Sequence, residues 1–202
     1  MATAALTRYT PEEYLALERN AEFRSEYIDG RIIAMSPGAS RPHNLIVTAL
    51  IRHLEEQLED GPCEVYSGFQ RVQVSASGDY LYPDIAVSCE PEFEDRASDS
   101  LLSPVLIIEV LSDSTEGYDR RKKFDLYRRI ESLREYVLIS QKEALVERHL
   151  RQGDFWHFST VDDLDAVLVL ASVGLEIPMR RIYHKAMIPT RRVRRGIADA
   201  GE

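Results

Sequence analysis

The chain has 202 residues, 44% of them hydrophobic and 29% charged, a balance that fits one globular domain with a sizeable core. No apolar run approaches the roughly 18 residues needed to span a bilayer, and residues 1–10 lack the charged-then-apolar pattern of a signal peptide, so a cytoplasmic protein without a membrane partner is expected. The formal net charge is −9, which argues against affinity for a polyanion over most of the surface.

That charge is unevenly spread. Arg180, Arg181, Lys185, Arg191, Arg192, Arg194 and Arg195 crowd the stretch 179–195, which holds no acid, and leave 18 basic against 34 acidic residues in the rest of the chain. A nucleic acid must therefore use this local basic strip, a bound cation, or both. The boundaries read from composition are a single domain over 1–178 and a basic C-terminal tail over 179–202. Cys63 and Cys89 lie far apart and form no CxxC motif. They are expected as small buried apolar residues rather than as a disulfide or a zinc site.

In chain order, Thr10-Pro11-Glu12-Glu13 opens a short helix, with a capping hydroxyl, a proline at the first helical position and acids in the first turn. Asp29-Gly30 lies between two β-prone runs and predicts a hairpin, with Ser36-Pro37-Gly38 ending its second strand. A helix is expected from about Pro42 to Leu58, with Leu45, Ala49, His53 or Leu54, and Leu58 on its apolar face. Short strands follow at 64–67 and 71–74, then a turn at 75–80 and a strand at 82–87. The acidic, proline-punctuated stretch 90–103 reads as a loop. Val105 to Leu111 is the most hydrophobic run and reads as a central strand covered on both faces. A helix is predicted from Asp119 to about Arg134, then a strand at 136–140 and a closing meander over 143–150, 155–160 and 166–170. The class is α/β with a mixed sheet.

Glu109 is a charge near the end of an otherwise apolar strand, where an unpaired carboxylate costs several kcal/mol. A cation, a bound metal or a cleft open to solvent must compensate it, and ligands of α/β sheets gather at the carboxyl ends of strands. Asp84 repeats the pattern, opening the apolar run Ile85-Ala86-Val87. Two such carboxylates on adjacent strands suit Mg²⁺ or Mn²⁺ better than zinc. On the following helix Lys123 and Tyr127 are four residues apart and share a face. Tyr127 belongs to the apolar side, so Lys123 also faces the sheet, while Lys122 is rotated about 100° away.

Pro83-Asp84, Glu109-Val110-Leu111-Ser112 and a helix with Lys123 and Tyr127 together resemble the Uma-type restriction-endonuclease family of the PD-(D/E)XK superfamily. Tyr9-Thr10-Pro11-Glu12-Glu13-Tyr14, Glu26-Tyr27-Ile28-Asp29-Gly30-Arg31 and His43 extend the resemblance to most of the chain, up to about Ile177. It implies a restriction-endonuclease-like core, a mixed β-sheet flanked by helices, with a C-terminal β-meander. Asp84, Glu109 and the carbonyl of Val110 would be metal ligands, Glu26 an additional acid, and Lys123 the catalytic lysine. His43 and Tyr127 are accessory candidates. Two positions depart from pattern. Leu111 stands where the superfamily's usual motif has lysine, and Asp113 stands where proline is usual.

The expected activity is Mg²⁺-dependent hydrolysis of DNA phosphodiesters, with a homodimer as the working form. A nuclease-fold module without catalysis, binding DNA or a protein partner, is the alternative. RNA or a nucleotide is a third candidate substrate. No GxSxG, Walker or HExxH motif is present, and His53, His149, His157 and His184 show no ligand spacing.

Overall fold

A computed structural model describes residues 7–35, 38–74, 78–94, 100–186 and 188. The start of the chain follows its local chemistry. The Thr10 hydroxyl accepts from the Glu13 N–H at 3.2 Å, and the Glu13 carboxylate accepts from the Thr10 N–H at 2.8 Å, a reciprocal cap on α1 (Pro11–Glu18). Asp29 and Gly30 both take positive φ, 51° and 78°. That is the two-residue turn whose twist suits a hairpin, and it joins β1 (Ser25–Ile28) to β2 (Arg31–Ala34).

The hairpin continues into a five-stranded sheet with β4 (Arg71–Gln73), β5 (Tyr80–Leu81) and β7 (Ser100–Leu101), in the order β2-β1-β5-β4-β7. A second sheet of six strands carries the centre of the molecule. Its strands are β3 (Glu64–Ser67), β6 (Ile85–Ser88), β8 (Leu106–Leu111), β9 (Glu135–Ser140), β10 (Val146–Gln152) and β11 (Phe155–Val161), in the order β11-β10-β9-β8-β6-β3. It is mixed: β8 runs parallel to β9 and antiparallel to β6. The parallel pair requires a crossover, which the helical segment after β8 supplies.

All six residues of β8 are buried. Leu106, Ile108 and Val110 join one core cluster with the long helix α2 (Arg41–Leu58), while Ile107 and Leu111 join another with Leu126 and Tyr127. The strand is thus covered on both faces, as its composition implies. Glu109 alternates with Ile107 and Leu111 and shares their face.

Several expectations need correction. The buried line of α2 is Ile46, Leu50, Leu54 and Leu58, with His53 beside it, and Leu45 and Ala49 are only half-buried. Leu45-Ile46-Val47 is a continuous apolar run, so helical spacing alone fits two adjacent lines. The helix expected over 119–134 is instead a composite of α3 (Glu116–Tyr118), a π-helical turn (Asp119–Lys123) and α4 (Phe124–Tyr127). It stops early because the N–H groups of Arg129 and Ile130 turn back to carbonyls three residues before them, a tightening common at helix ends. β9, β10 and β11 form the expected meander. The stretch after them does not extend it: β12 (Val167–Leu170) pairs with β13 (Leu175–Pro178) as a separate hairpin.

Residues placed in the tail also pack. Met179 and Ile182, in the short helix α5 (Met179–Ile182), are buried in the first core cluster, as is Ala186. Arg191, Arg192, Arg194 and Arg195 lie outside the described residues, as do Ser36 and Pro37.

The two cysteines are disulfide-bonded to one another. Their separation of 26 residues hid this. The β3–β6 register pairs Glu64 with Ser88, and one step further sets Cys63 opposite Cys89. Among the described residues no helix is long and apolar enough to cross a membrane.

Candidate active site

The end of β6 that carries Asp84 and the end of β8 that carries Glu109 meet at one point. Asp84 falls just before the last β6–β8 pair, Ile85 with Ile108. There its side chain takes over the ladder: Oδ2 accepts from the Val110 N–H at 2.7 Å. In return, Glu109 Oε2 accepts from the Asp84 N–H at 3.3 Å. Each acid is thus anchored by the backbone of the other's strand. An N–H and C=O of one residue in an antiparallel strand point to the same edge, so the Val110 carbonyl emerges on the side of Asp84.

The helical crossover supplies the cation. Lys123 Nζ donates to Glu109 Oε1 at 2.8 Å, and the Tyr127 hydroxyl donates to the same oxygen at 3.3 Å. The shared face of Lys123 and Tyr127 is therefore real, although Lys123 ends a π turn rather than lying within a regular helix. Glu26, from β1, places Oε1 at 3.4 Å from Lys123 Nζ, and its Oε2 accepts from the Tyr118 hydroxyl at 2.8 Å. His43, in the first turn of α2, sets Nε2 at 3.1 Å from Asp84 Oδ2. The structure thus brings Asp84, Glu109, Lys123, Glu26, His43 and Tyr127 into one neighbourhood.

Two participants escaped the sequence reading. Asp119 is buried, with Oδ1 at 3.5 Å from Lys123 Nζ. Its position four residues before Lys123 was the available signal. Tyr118 had none, because its reach to Glu26 crosses 92 residues.

The electrostatics follow from burial. Glu109 is 3% exposed. Burial raises its pKa well above the ordinary carboxylate value, Lys123 opposes that, and Asp84 and Asp119 push the same way as burial. Burial alone would lower Lys123, but Glu109, Glu26 and Asp119 outweigh it and hold the ammonium protonated. Asp119 is raised by burial, with Lys123 opposing. One ammonium thus sits among several acids, and the Oε1 of Glu26 and Oδ1 of Asp119 are buried without a hydrogen bond among the described residues.

All of this opens on a cleft of about 1120 Å³, lined by Glu26, His43, Asp84, Glu109, Val110 and Lys123 among others. Among the described residues no three His, Cys, Asp or Glu side chains form a ready-made metal cage. The donors present are two carboxylates and a peptide oxygen. Such hard oxygen donors suit a cation that keeps most of its own water, as Mg²⁺ does, and the surplus of negative charge favours one. The residues fit the group on donor chemistry.

Three comparisons bear on this arrangement. A family model described as "Uma2: Putative restriction endonuclease" matches residues 11–180. An uncharacterized protein of Synechocystis sp. (strain ATCC 27184 / PCC 6803 / Kazusa) is 34% identical over 183 residues, covering 90% of this chain and 94% of its own. A second from the same organism is 39% identical over 155 residues, covering 76% and 87%. The fold resembles the crystal structure of a "putative nuclease belonging to DUF820" from Anabaena variabilis ATCC 29413, with a TM-score of 0.73 at 21% identity, over 88% of this chain and 99% of that one. That likeness shows a shared mixed α/β fold. The extent of the family match and the identity to the relatives lead to one conclusion: the chain belongs to the Uma2 family of restriction-endonuclease-like proteins.

Proposed function

We propose that the chain hydrolyses phosphodiester bonds of DNA at the cleft between Asp84 and Lys123. The observation that carries this reading is the hydrogen-bonded set Asp84–Glu109–Lys123. Two acids are cross-anchored between adjacent strands, and a buried ammonium lies 2.8 Å from one of them.

Asp84, Glu109 and the Val110 carbonyl would hold a divalent cation, Mg²⁺ or Mn²⁺, which when bound polarises a phosphoryl oxygen and lowers the pKa of its water. Lys123 has three N–H donors. They face Glu109 at 2.8 Å, Glu26 at 3.4 Å and Asp119 at 3.5 Å. The ammonium also lines the cleft, and its charge would offset the charge that builds on a phosphoryl oxygen there. Tyr127 and Asp84's backbone N–H fix Glu109, which fixes Lys123. His43 orients Asp84. A divalent cation held there would offset the acidic lining of the cleft and give a polyanion a local point of attachment. A pair of chains working as a dimer would serve two strands.

The test is plasmid DNA with Mg²⁺ or Mn²⁺, comparing the wild type with Asp84→Ala and Lys123→Ala. Nicking or linearisation is expected from the wild type and a loss of 10²-fold or more from each variant. Cleavage that survives in both would sink the assignment. Metal binding without cleavage, by calorimetry, would favour a module that only binds.

A further inference from the structure

One feature of the cleft has no part in the set above. Phe69 is the most prominent apolar side chain on its rim: it lines the same cleft as Asp84, Glu109 and Lys123, and is 78% exposed. An exposed aromatic costs solvation without a packing return. This one is nevertheless supported. It stands on the turn between β3 and β4, closed by the Gln70 N–H donating to the Ser67 carbonyl at 2.9 Å.

That turn lies directly on the Asp84 segment. A side chain at Gly68 would touch the carbonyl oxygens of Pro83 and Asp84 at 3.5 and 3.6 Å. Arg24 fastens the turn from below. Its guanidinium donates to the Gly68 carbonyl and lies 4.0 Å from the centre of the Phe69 ring. The same guanidinium lies 5.6 Å from the centre of the Tyr82 ring. The Phe69 ring is thus backed by a cation, and its exposure leaves the rest of it accessible on the rim of the cleft.

We infer that Phe69, backed by Arg24, is a stacking platform for a nucleobase of the bound strand, adjacent to the phosphate handled by Asp84, Glu109 and Lys123. A planar π-face suits the open ring, and stacking tolerates any base, so it adds affinity without reading sequence. The guanidinium beneath contributes charge to a strand whose phosphates the rest of the surface repels. A base on this ring is out of a continuous duplex stack. The substrate class is therefore single-stranded DNA, or a duplex opened locally at a gap, flap or frayed end. This inference rests on the hydrolytic reading above and names its substrate class.

The test uses a short single-stranded oligodeoxynucleotide carrying 2-aminopurine, and an oligonucleotide of the same length built wholly of abasic residues, which offers the platform no base in any register. Binding is followed by 2-aminopurine fluorescence and by anisotropy of an end label, with Ca²⁺ in place of Mg²⁺. Wild type is expected to quench the fluorophore, and Phe69→Ala to lose the quenching and to weaken binding about tenfold or more. Phe69→Trp should retain both. The abasic oligonucleotide should bind wild type and Phe69→Ala alike. A Phe69→Ala protein that quenches and binds as wild type does, while Asp84→Ala still abolishes cleavage, overturns the platform and leaves the hydrolytic reading standing. A wild type that neither binds nor cleaves nucleic acid overturns both. Equal loss for the base-bearing and abasic oligonucleotides overturns the platform, because the loss is then not one of stacking.

Discussion

Two buried glutamates lie on adjacent parallel strands. Glu135 opens β9 opposite Leu106, the first residue of β8, while Glu109 lies three pairs further along, toward the other end of the sheet. Glu135 is fully buried and Glu109 nearly so. Their surroundings differ. Glu135 Oε2 accepts from the Ser172 N–H at 2.9 Å and from its hydroxyl at 2.7 Å, and Arg148 stands 3.7 Å from the other oxygen. That is one acid with two neutral donors on one oxygen and its own cation at ion-pair distance from the other, which accepts no hydrogen bond among the described residues. Glu109 shares its single ammonium with Glu26 and Asp119, and lies close to Asp84. Burial of a carboxylate therefore marks nothing by itself. What separates a structural acid from a candidate catalytic one is whether the local charges balance, and whether the pocket opens to a cleft.

The sharpest test of that contrast is Glu135→Ala. It strips Arg148 and Ser172 of a buried partner, and a loss of about 3–5 kcal/mol of stability is expected by urea denaturation, with cleavage per folded molecule unchanged. A stable variant with lost cleavage would break the comparison. Next comes Glu109→Gln. A carboxyl whose pKa is raised in the folded state holds its proton more tightly there than in the unfolded chain. Its contribution to stability is then full below the ordinary value of 4.5 and is lost as the pH rises through the folded value. Glutamine does not titrate. The stability of the wild type relative to the variant, measured in chelator, should fall as pH rises from about 4, by at most about 1.4 kcal/mol per pH unit. A difference that stays flat would place Glu109 in the balanced class with Glu135. The smallest effect is expected from Arg120→Ala. Arg120 Nε lies 3.1 and 3.0 Å from the two oxygens of Glu147, but the pair is part-exposed, so about 1 kcal/mol is expected. A loss as large as that of Glu135→Ala would show that solvent access does not set the scale.

Much of this was legible in the sequence where one local rule decided the outcome. Thr10 with Glu13, Asp29-Gly30, and the apolar run that buries β8 each act within a few residues. Glu109 stood out because six apolar neighbours left it no polar context, and Lys123 followed from its spacing to Tyr127. Glu135 was overlooked because it sits beside Arg134 at the mouth of its strand, where a charge reads as solvated. The partners that balance it, Arg148 and Ser172, are 13 and 37 residues away in sequence. Asp119 was passed over because it sits in a run of charged residues, and the π turn that aims Lys123 has no spacing of its own to read. Phe69, between Gly68 and Gln70, looked like an ordinary turn residue. Only the folded chain sets it beside Arg24, 45 positions earlier.

The covalent tie between Cys63 and Cys89 bears on all of this from a distance. β6 is only four residues long, and its outer partner β3, the last strand of the sheet, is equally short, so hydrophobic contact alone would tolerate a shift of β3 along β6. A slip of β3 by a single residue would turn its side chains to the opposite face and displace the turn at Gly68, which rests on the Asp84 segment. The bridge joins directly opposed positions at the far end of that pair. It acts as a gauge block for β3 against β6: one crosslink, well away from the chemistry, holds the alignment of the strand that leads into the turn lying on Asp84.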